Sequence, residues 1–171
     1  PVHAETIHTG GDTGAYHSHF CPALTSALSR RNISATCKTS VGTVANMRRV
    51  LGNPTDLGYA QLDVFALKSD GFGGSDVFTR VRVDDARECV FAVTKAPDLT
   101  NYGEVAVFAE QLKFFLPPAQ SGSTGTFRFL QELDPEGLGR AQEIELTGSA
   151  DEAIRKALET RGGIAFFVQF P

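Results

Sequence analysis

The sequence predicts an α/β chain made of two matching βαβαβ halves, each a small parallel-containing sheet with flanking helices. Three observations carry this reading. Short alternating runs such as "ETIHT" and "ISATCKT" are each followed by apolar residues at helical three- and four-residue spacing. Glycine, serine and threonine collect at the junctions between them. The order of the first half then recurs: Gln61 lies 21 positions after Ser40, and Gln169 again lies 21 after Gly148. Strands alternating with helices at this interval imply parallel pairing with helices on the faces.

In order, Glu5 to Thr9 reads as a strand and Tyr16 to Arg31 as a helix with Leu24, Ala27 and Leu28 on one face. Ile33 to Thr39 is a second strand. "SVGTVANMRRVL" is a helix with Val41, Val44, Met47, Val50 and Leu51 on its apolar stripe, Ser40 as N-cap, and Gly52-Asn53-Pro54 as its stop. "DLGYAQLD" is the third strand, with a short helix opening at Val64. Residues Lys68 to Asp85 break the rhythm: "SDGFGGSD" is a glycine-rich turn, and "VFTRVRVD" alternates like an edge strand. "ECVFAVTK" is an apolar strand, Pro97 to Tyr102 a loop, and Val105 to Gln111 a short helix or an apolar connector. "LKFFLPPAQSGSTGTFRFLQEL", "EIELTGSADEAIRKALETRGG" and "GIAFFVQF" then repeat the first half's sequence of elements. The expected organisation is a first lobe over 1–85, a crossing or hinge segment over 86–104, and a second lobe over 105–171.

The chain has 171 residues, 42% hydrophobic and 21% charged, a globular composition. A net charge of −4 with 16 scattered basic residues excludes a phosphate-tracking surface, so no nucleic-acid partner is expected. No window of 18 uninterrupted apolar residues occurs. The start at Pro1, without Met or a basic-then-apolar run, reads as a processed mature form or a trimmed chain. Cys21, Cys37 and Cys89 form an odd set, consistent either with three buried thiols or with one disulfide and a leftover.

The strand-to-helix junctions are Gly10-Gly11-Asp12-Thr13-Gly14, Thr39-Ser40-Val41-Gly42-Thr43, Ser121-Gly122-Ser123-Thr124-Gly125-Thr126 and Thr147-Gly148-Ser149. In open parallel sheets such junctions, at the carboxyl ends of the strands, are where ligands bind. Free amides at a helix start favour an anion by about 0.3–1 kcal/mol per exposed terminus. Hydroxyls add donors and glycine allows close backbone approach, so a carboxylate- or phosphate-sized group is the expected guest. Each junction also has a structural explanation: Ser40 and Ser149 as helix caps, "SGSTGT" as a surface loop. The first loop has neither the P-loop lysine nor the dinucleotide glycine pattern.

"TGGDTGAYH" and "TSVGTVANMRRVLGNPTDLGYAQLD" resemble the solute-binding proteins of bacterial transporters with the type II periplasmic fold, most of all the TAXI branch serving TRAP transporters, with phosphonate-type binding proteins similar. Gly10, Gly11, Gly14 and Tyr16 carry the first motif; Ser40, Gly42, Thr43 and Asn46 the second; Gly58, Gln61 and Asp63 the third. The match is specific over about Ile7 to Leu67 and looser beyond, where "SGSTGT" resembles the second-lobe loop. The resemblance implies a monomeric, two-lobed periplasmic protein that closes about the segment near Val83–Lys95 on a small anionic or zwitterionic solute, without cofactor, and delivers it to a membrane permease. It implies ligand contacts from Gly11, Thr13, Gly14, Tyr16, Ser40, Gly42, Thr43, Gln61 and Asp63, and from Ser121, Ser123, Thr124, Gly125 and Thr126. It also implies a crossing-back segment after the second lobe, and the sequence stops at Pro171 before one, which reads as a minimal or shortened form. His17 stands where TAXI proteins tend to carry a second aromatic residue.

With the elements placed, Cys21 in the first helix and Cys37 in the adjacent strand are expected to form a disulfide, leaving Cys89 as a buried core thiol. Three rivals are weighed. A metal site on His3, His8, His17, His19 and Cys21 suffers because side chains two apart on a helix diverge. Enzymatic activity is not expected: no Gly-x-Ser-x-Gly elbow occurs, all histidines lie within the first 19 positions, and Asp12, Asp63 and Glu104 are isolated acids. A ligand-sensing or interaction module on the same fold differs only in its partner.

Overall fold

The computed structural model describes residues 6–83 and 87–170. His3, Glu5, Asp84, Asp85 and Pro171, which figure in the sequence reading, lie outside the described residues. The chain divides into two compact units. One takes the chain up to Arg87 together with Gln120–Gly122; the other takes Glu88–Ala119 and the chain from Ser123 onward.

The first unit holds three parallel strands in the order β2-β1-β3: β1 Thr6–His8, β2 Thr36–Lys38 and β3 Leu57–Gly58. Ile7, on the central strand, is fully buried. One π-helical turn, Tyr16–Phe20, leads into α1 Cys21–Ser29, with Pro22 in the first turn where its missing N–H costs no bond. Cys21 and Cys37 are disulfide-bonded with Cα atoms 6.0 Å apart, tying the start of α1 to β2. α2 spans Thr43–Gly52 and α3 spans Leu62–Lys68.

The second unit holds β4 Cys89–Thr94, α4 Tyr102–Phe108, β5 Lys113–Leu116, β6 Glu143–Leu146, α6 Ala150–Glu159 and β7 Gly163–Gln169, with α5 covering Gly122–Leu133. Its sheet runs β4-β7-β5-β6; β5 pairs in parallel with β6 and β7, and β4 lies antiparallel on β7. Alternation along β5 sends Phe114 and Leu116 to one face, packed with Phe127, Leu138, Ile164 and Phe166. Phe115 goes to the other face, with Ala153, Ala157 and Ala165. α4 opens with a capping box between Asn101 and Glu104, and α6 with Ser149 as cap. The α/β reading is therefore correct. The repeat is visible in the strand order, since β6-β5-β7 and β2-β1-β3 share one topology.

Several expectations need correction. The alternating run Val77–Asp84 forms no strand in its described part: Ser75–Val77 is a 3₁₀ turn, and the chain from Phe78 to Val83 belongs to neither sheet. Arg80 to Val83 is exposed throughout, so alternation there reflects no buried face. The segment assigned to a crossing supplies β4 and the start of α4 to the second unit. α2 begins at Thr43 with Gly42, not Ser40, as cap, and it buries Thr43, Ala45, Asn46 and Met47 while Val41 and Leu51 are exposed. Its inward face is thus partly polar, which a search for apolar spacing overlooks. Cys89 is exposed, not buried, because β4 is an edge strand.

Candidate binding site

Thr9, the residue after β1, organises the carboxyl end of the first sheet. Its N–H and its Oγ1 both donate to the carbonyl of Lys38, each at 3.0 Å. Its own carbonyl accepts from Nδ2 of Asn46 at 2.6 Å and from Ser40 Oγ at 3.3 Å. The same Asn46 amide donates to the carbonyl of Tyr59 at 2.9 Å, so one buried side chain spans the ends of β1 and β3. The resemblance singled out this asparagine only as part of a motif; its structural reason is that strand ends have carbonyls no neighbouring strand satisfies.

The junction before α2 is built on this hub. Ser40 N–H donates to the carbonyl of Gly10 at 2.9 Å, joining the first and second junctions directly. Ser40 Oγ also accepts from the Gly42 N–H at 3.1 Å, a serine turn placed just ahead of the helix. Gly42 sits at φ 125°, and a Cβ there would lie 2.8 Å from the Cα of Ser121. Only glycine fits, for conformation and for space. Because the cap residue is glycine, no cap side chain covers the first amides of α2. Thr43 is buried, and its Oγ1 accepts from the N–H of Gln61 at 3.1 Å. The Gln61 side chain in turn occupies the space that a Cβ on Gly122 would need. Gly10, Ser40, Gly42, Thr43, Gln61, Ser121 and Gly122 are thereby gathered in one unit.

The glycine-rich loop closes on itself. Gly14 N–H donates to the carbonyl of Gly11 at 3.0 Å, and Asp12 accepts from the Thr13 N–H at 2.9 Å. Gly11, Asp12, Thr13 and Gly14 are all exposed. Beyond the loop, the Tyr16 ring stacks on Tyr59 with centroids 5.1 Å apart and tilts against Phe20 at 6.1 Å. His17 Nδ1 lies 3.0 Å from Thr9 Oγ1. Tyr59 was not selected from the sequence, although it stands directly after the third strand's Gly58; His17 was named there only in the metal alternative and as a departure from the family pattern.

The remaining predicted residues have other settings. Asp63 is half-buried in the first turn of α3. Ser123, Thr124, Gly125 and Thr126 are not in a loop but in the first turns of α5. Within the second unit, Ser123 Oγ accepts from the Val168 N–H at 2.9 Å and Thr124 Oγ1 donates to the carbonyl of Pro117 at 2.8 Å. Thr124, Gly125 and Thr126 are buried. Ser149 is a helix cap, accepting from the Glu152 N–H at 3.1 Å.

The histidine–cysteine metal alternative loses two of its members. His8 is buried and bonded to Asp56 at 2.8 Å, and Cys21 is in the disulfide. Among the described residues, no group of three or more His, Cys, Asp or Glu is placed to hold a metal ion. No helix among them is long and apolar enough to cross a membrane. No family model matches the chain, and no curated protein matches it.

Proposed function

We propose that the chain is an extracytoplasmic solute-binding protein for a small anionic or zwitterionic organic solute, of the carboxylate, amino acid or phosphonate kind, serving a membrane transporter. The observation that supports it is the direct joining of strand-end junctions within one unit: Gly10 to Ser40, Ser40 to Gly42, Gly42 against Ser121, and Thr43 to Gln61. A helix that starts on an uncapped glycine beside a hydroxyl and an exposed glycine loop offers amide donors to an anion. The disulfide is compatible with an oxidising compartment.

A thermal-shift screen against carboxylates, amino acids and phosphonates tests the reading. Gly11 is the informative position for a variant, because a Cβ there meets nothing within 4 Å. Gly11→Tyr is expected to fold normally and to lose the response to any solute that stabilises the wild type. A Gly11→Tyr protein with undiminished affinity would remove the loop from the site, and silence from every compound class would remove the function. Thr43 is a poor choice for the same test, since its buried hydroxyl holds Gln61.

A further inference from the structure

We propose that the chain pairs with a second copy of itself by strand exchange: Thr79 to Val83 of each copy adds, antiparallel, to the outer edge of β4 in the other. The inference goes beyond the solute-binding reading and does not depend on it.

One half of the contact is an open sheet edge. β4 pairs with β7 through six residues, Cys89 to Thr94, and among the described residues no strand lies on its other side. A bare edge is a template for another chain, and proteins commonly blunt one with a charge, a proline or a bulge. The run Cys-Val-Phe-Ala-Val-Thr carries no charge and no proline, and its register on β7 is unbroken. Its first four residues are exposed, Val90 by 49% and Phe91 by 36%.

The other half is a strand-forming segment that belongs to neither sheet. "TRVRV", Thr79 to Val83, alternates β-branched residues with arginine. Phe78 roots it, its ring edge-on to Phe65 at 5.3 Å and to Phe72 at 6.2 Å. Beyond that anchor every residue to Val83 is exposed, Val81 by 75%. A chain with one unpaired strand and one unpaired edge satisfies both by exchange with its copy, and reciprocal exchange closes as a two-fold dimer.

Alternation selects the register. Phe91 stacks on Phe167, and Val93 packs with Ala153 and Ala157 of α6. Cys89, Phe91 and Val93 therefore share the α6 face, while Glu88, Val90 and Ala92 take the other. Opposed residues in a ladder point to the same face. Setting Arg82 across from the other copy's Glu88 thus places Val81 against Cys89, Arg80 against Val90 and Thr79 against Phe91. Opposite charges meet at the end of the ladder, and the β-branched side of the segment extends the α6 face. A slip of one residue would turn the arginines onto that face.

Sedimentation velocity over a range of protein concentrations tests the pairing. The wild type is expected to reach twice the chain mass. Val81→Pro, which removes a ladder N–H at an exposed residue, is expected to stay at the chain mass with an unchanged circular dichroism spectrum. Residues opposed in an antiparallel ladder have Cα atoms about 4.5–5.5 Å apart, within reach of a disulfide. Under oxidised glutathione, Val81→Cys is therefore expected to join Cys89 of the other copy and give a covalent dimer on a non-reducing gel. Arg80→Cys, on the opposite face, should give none. A wild type that stays at the chain mass throughout overturns the proposal. So does a dimer that Val81→Pro leaves intact, since its interface lies elsewhere. A Val81→Cys protein without a crosslink, or one that crosslinks no better than Arg80→Cys, overturns the register. A Val81→Cys disulfide closed within one chain overturns the exchange, because the segment then folds back on its own β4.

Discussion

Nε2 of His8 donates to Asp56 Oδ2 at 2.8 Å, with both side chains less than a tenth exposed. Arg49 Nη1 lies 3.4 Å from the other ring nitrogen, and because a guanidinium can only donate, the proton of His8 belongs on Nε2. The pair links the end of β1 to the chain entering β3. Removing the carboxylate with Asp56→Ala leaves a buried N–H without its acceptor. The expected loss is about 3 kcal/mol, read as a lower urea midpoint at constant slope. Asp56→Asn retains an acceptor oxygen and should lose clearly less. Equal losses for the two variants would show that the hydrogen bond is not what stabilises this corner.

The cystine is expected to matter as much. Cys21 and Cys37 close a loop of sequence separation 16, worth about 3 kcal/mol in the chain-entropy description. Cys37→Ser should lower the midpoint accordingly. Alkylation of the native, unreduced protein should modify Cys89 alone, which mass spectrometry reads directly.

Gly42 is expected to tolerate no side chain. Its φ of 125° and the 2.8 Å approach of Ser121 act together, so Gly42→Ala should cost about 1–3 kcal/mol. Gly52→Ala serves as the control, since a Cβ there meets nothing within 4 Å. A Gly42→Ala protein as stable as the control would mean that the junction is not packed as described.

Acid should act on the second unit through Glu145. Hydrogen bonds from Lys156 and then Lys113 hold its carboxyl down to about 2 from the ordinary 4.5. A carboxyl lowered by folding contributes stability above its unfolded value, and that contribution is lost as pH falls through the folded one. Between pH 4.5 and about 2 the wild type should therefore lose stability more steeply than Glu145→Gln. The effect is small, because the side chain is 35% exposed and screened by solvent. Parallel pH profiles would count against the pairing.

Tyr102 gives a spectroscopic check at the other extreme. Partial burial first, and then its 2.8 Å hydrogen bond to Asp134, push the phenol up to about 12. Of the three tyrosines, one should ionise late in an ultraviolet titration, and Asp134→Asn should bring it part of the way back, since burial remains. A late transition that the variant leaves unmoved would assign it elsewhere.

How much of this was legible in the sequence depended on what each signal reports. Apolar periodicity found β5, β7 and α6, whose inner faces are hydrocarbon. It misplaced the inward face of α2, where Asn46 and Thr43 serve strand-end carbonyls and a neighbouring N–H, and it promoted Val77–Asp84 to a strand, although its described part joins neither sheet. Small residues at the junctions did mark positions of close backbone approach, as Gly42 and Gly122 show. The same signal could not separate Ser149, a cap, from Ser40, a turn joined to Gly10. It also could not see that Ser123 and Thr124 spend their hydroxyls inside the second unit. Thr9 escaped notice, and His17 was weighed only as a metal ligand and a departure from the family pattern, because their contact spans eight residues, which composition does not encode.

The exposed sulfur on β4 has a practical consequence. Since the only other half-cystines are joined to each other, a maleimide fluorophore can be attached at Cys89 without altering the sequence. The label would sit on the unit that begins at Glu88, so its emission can be followed there while a solute is added.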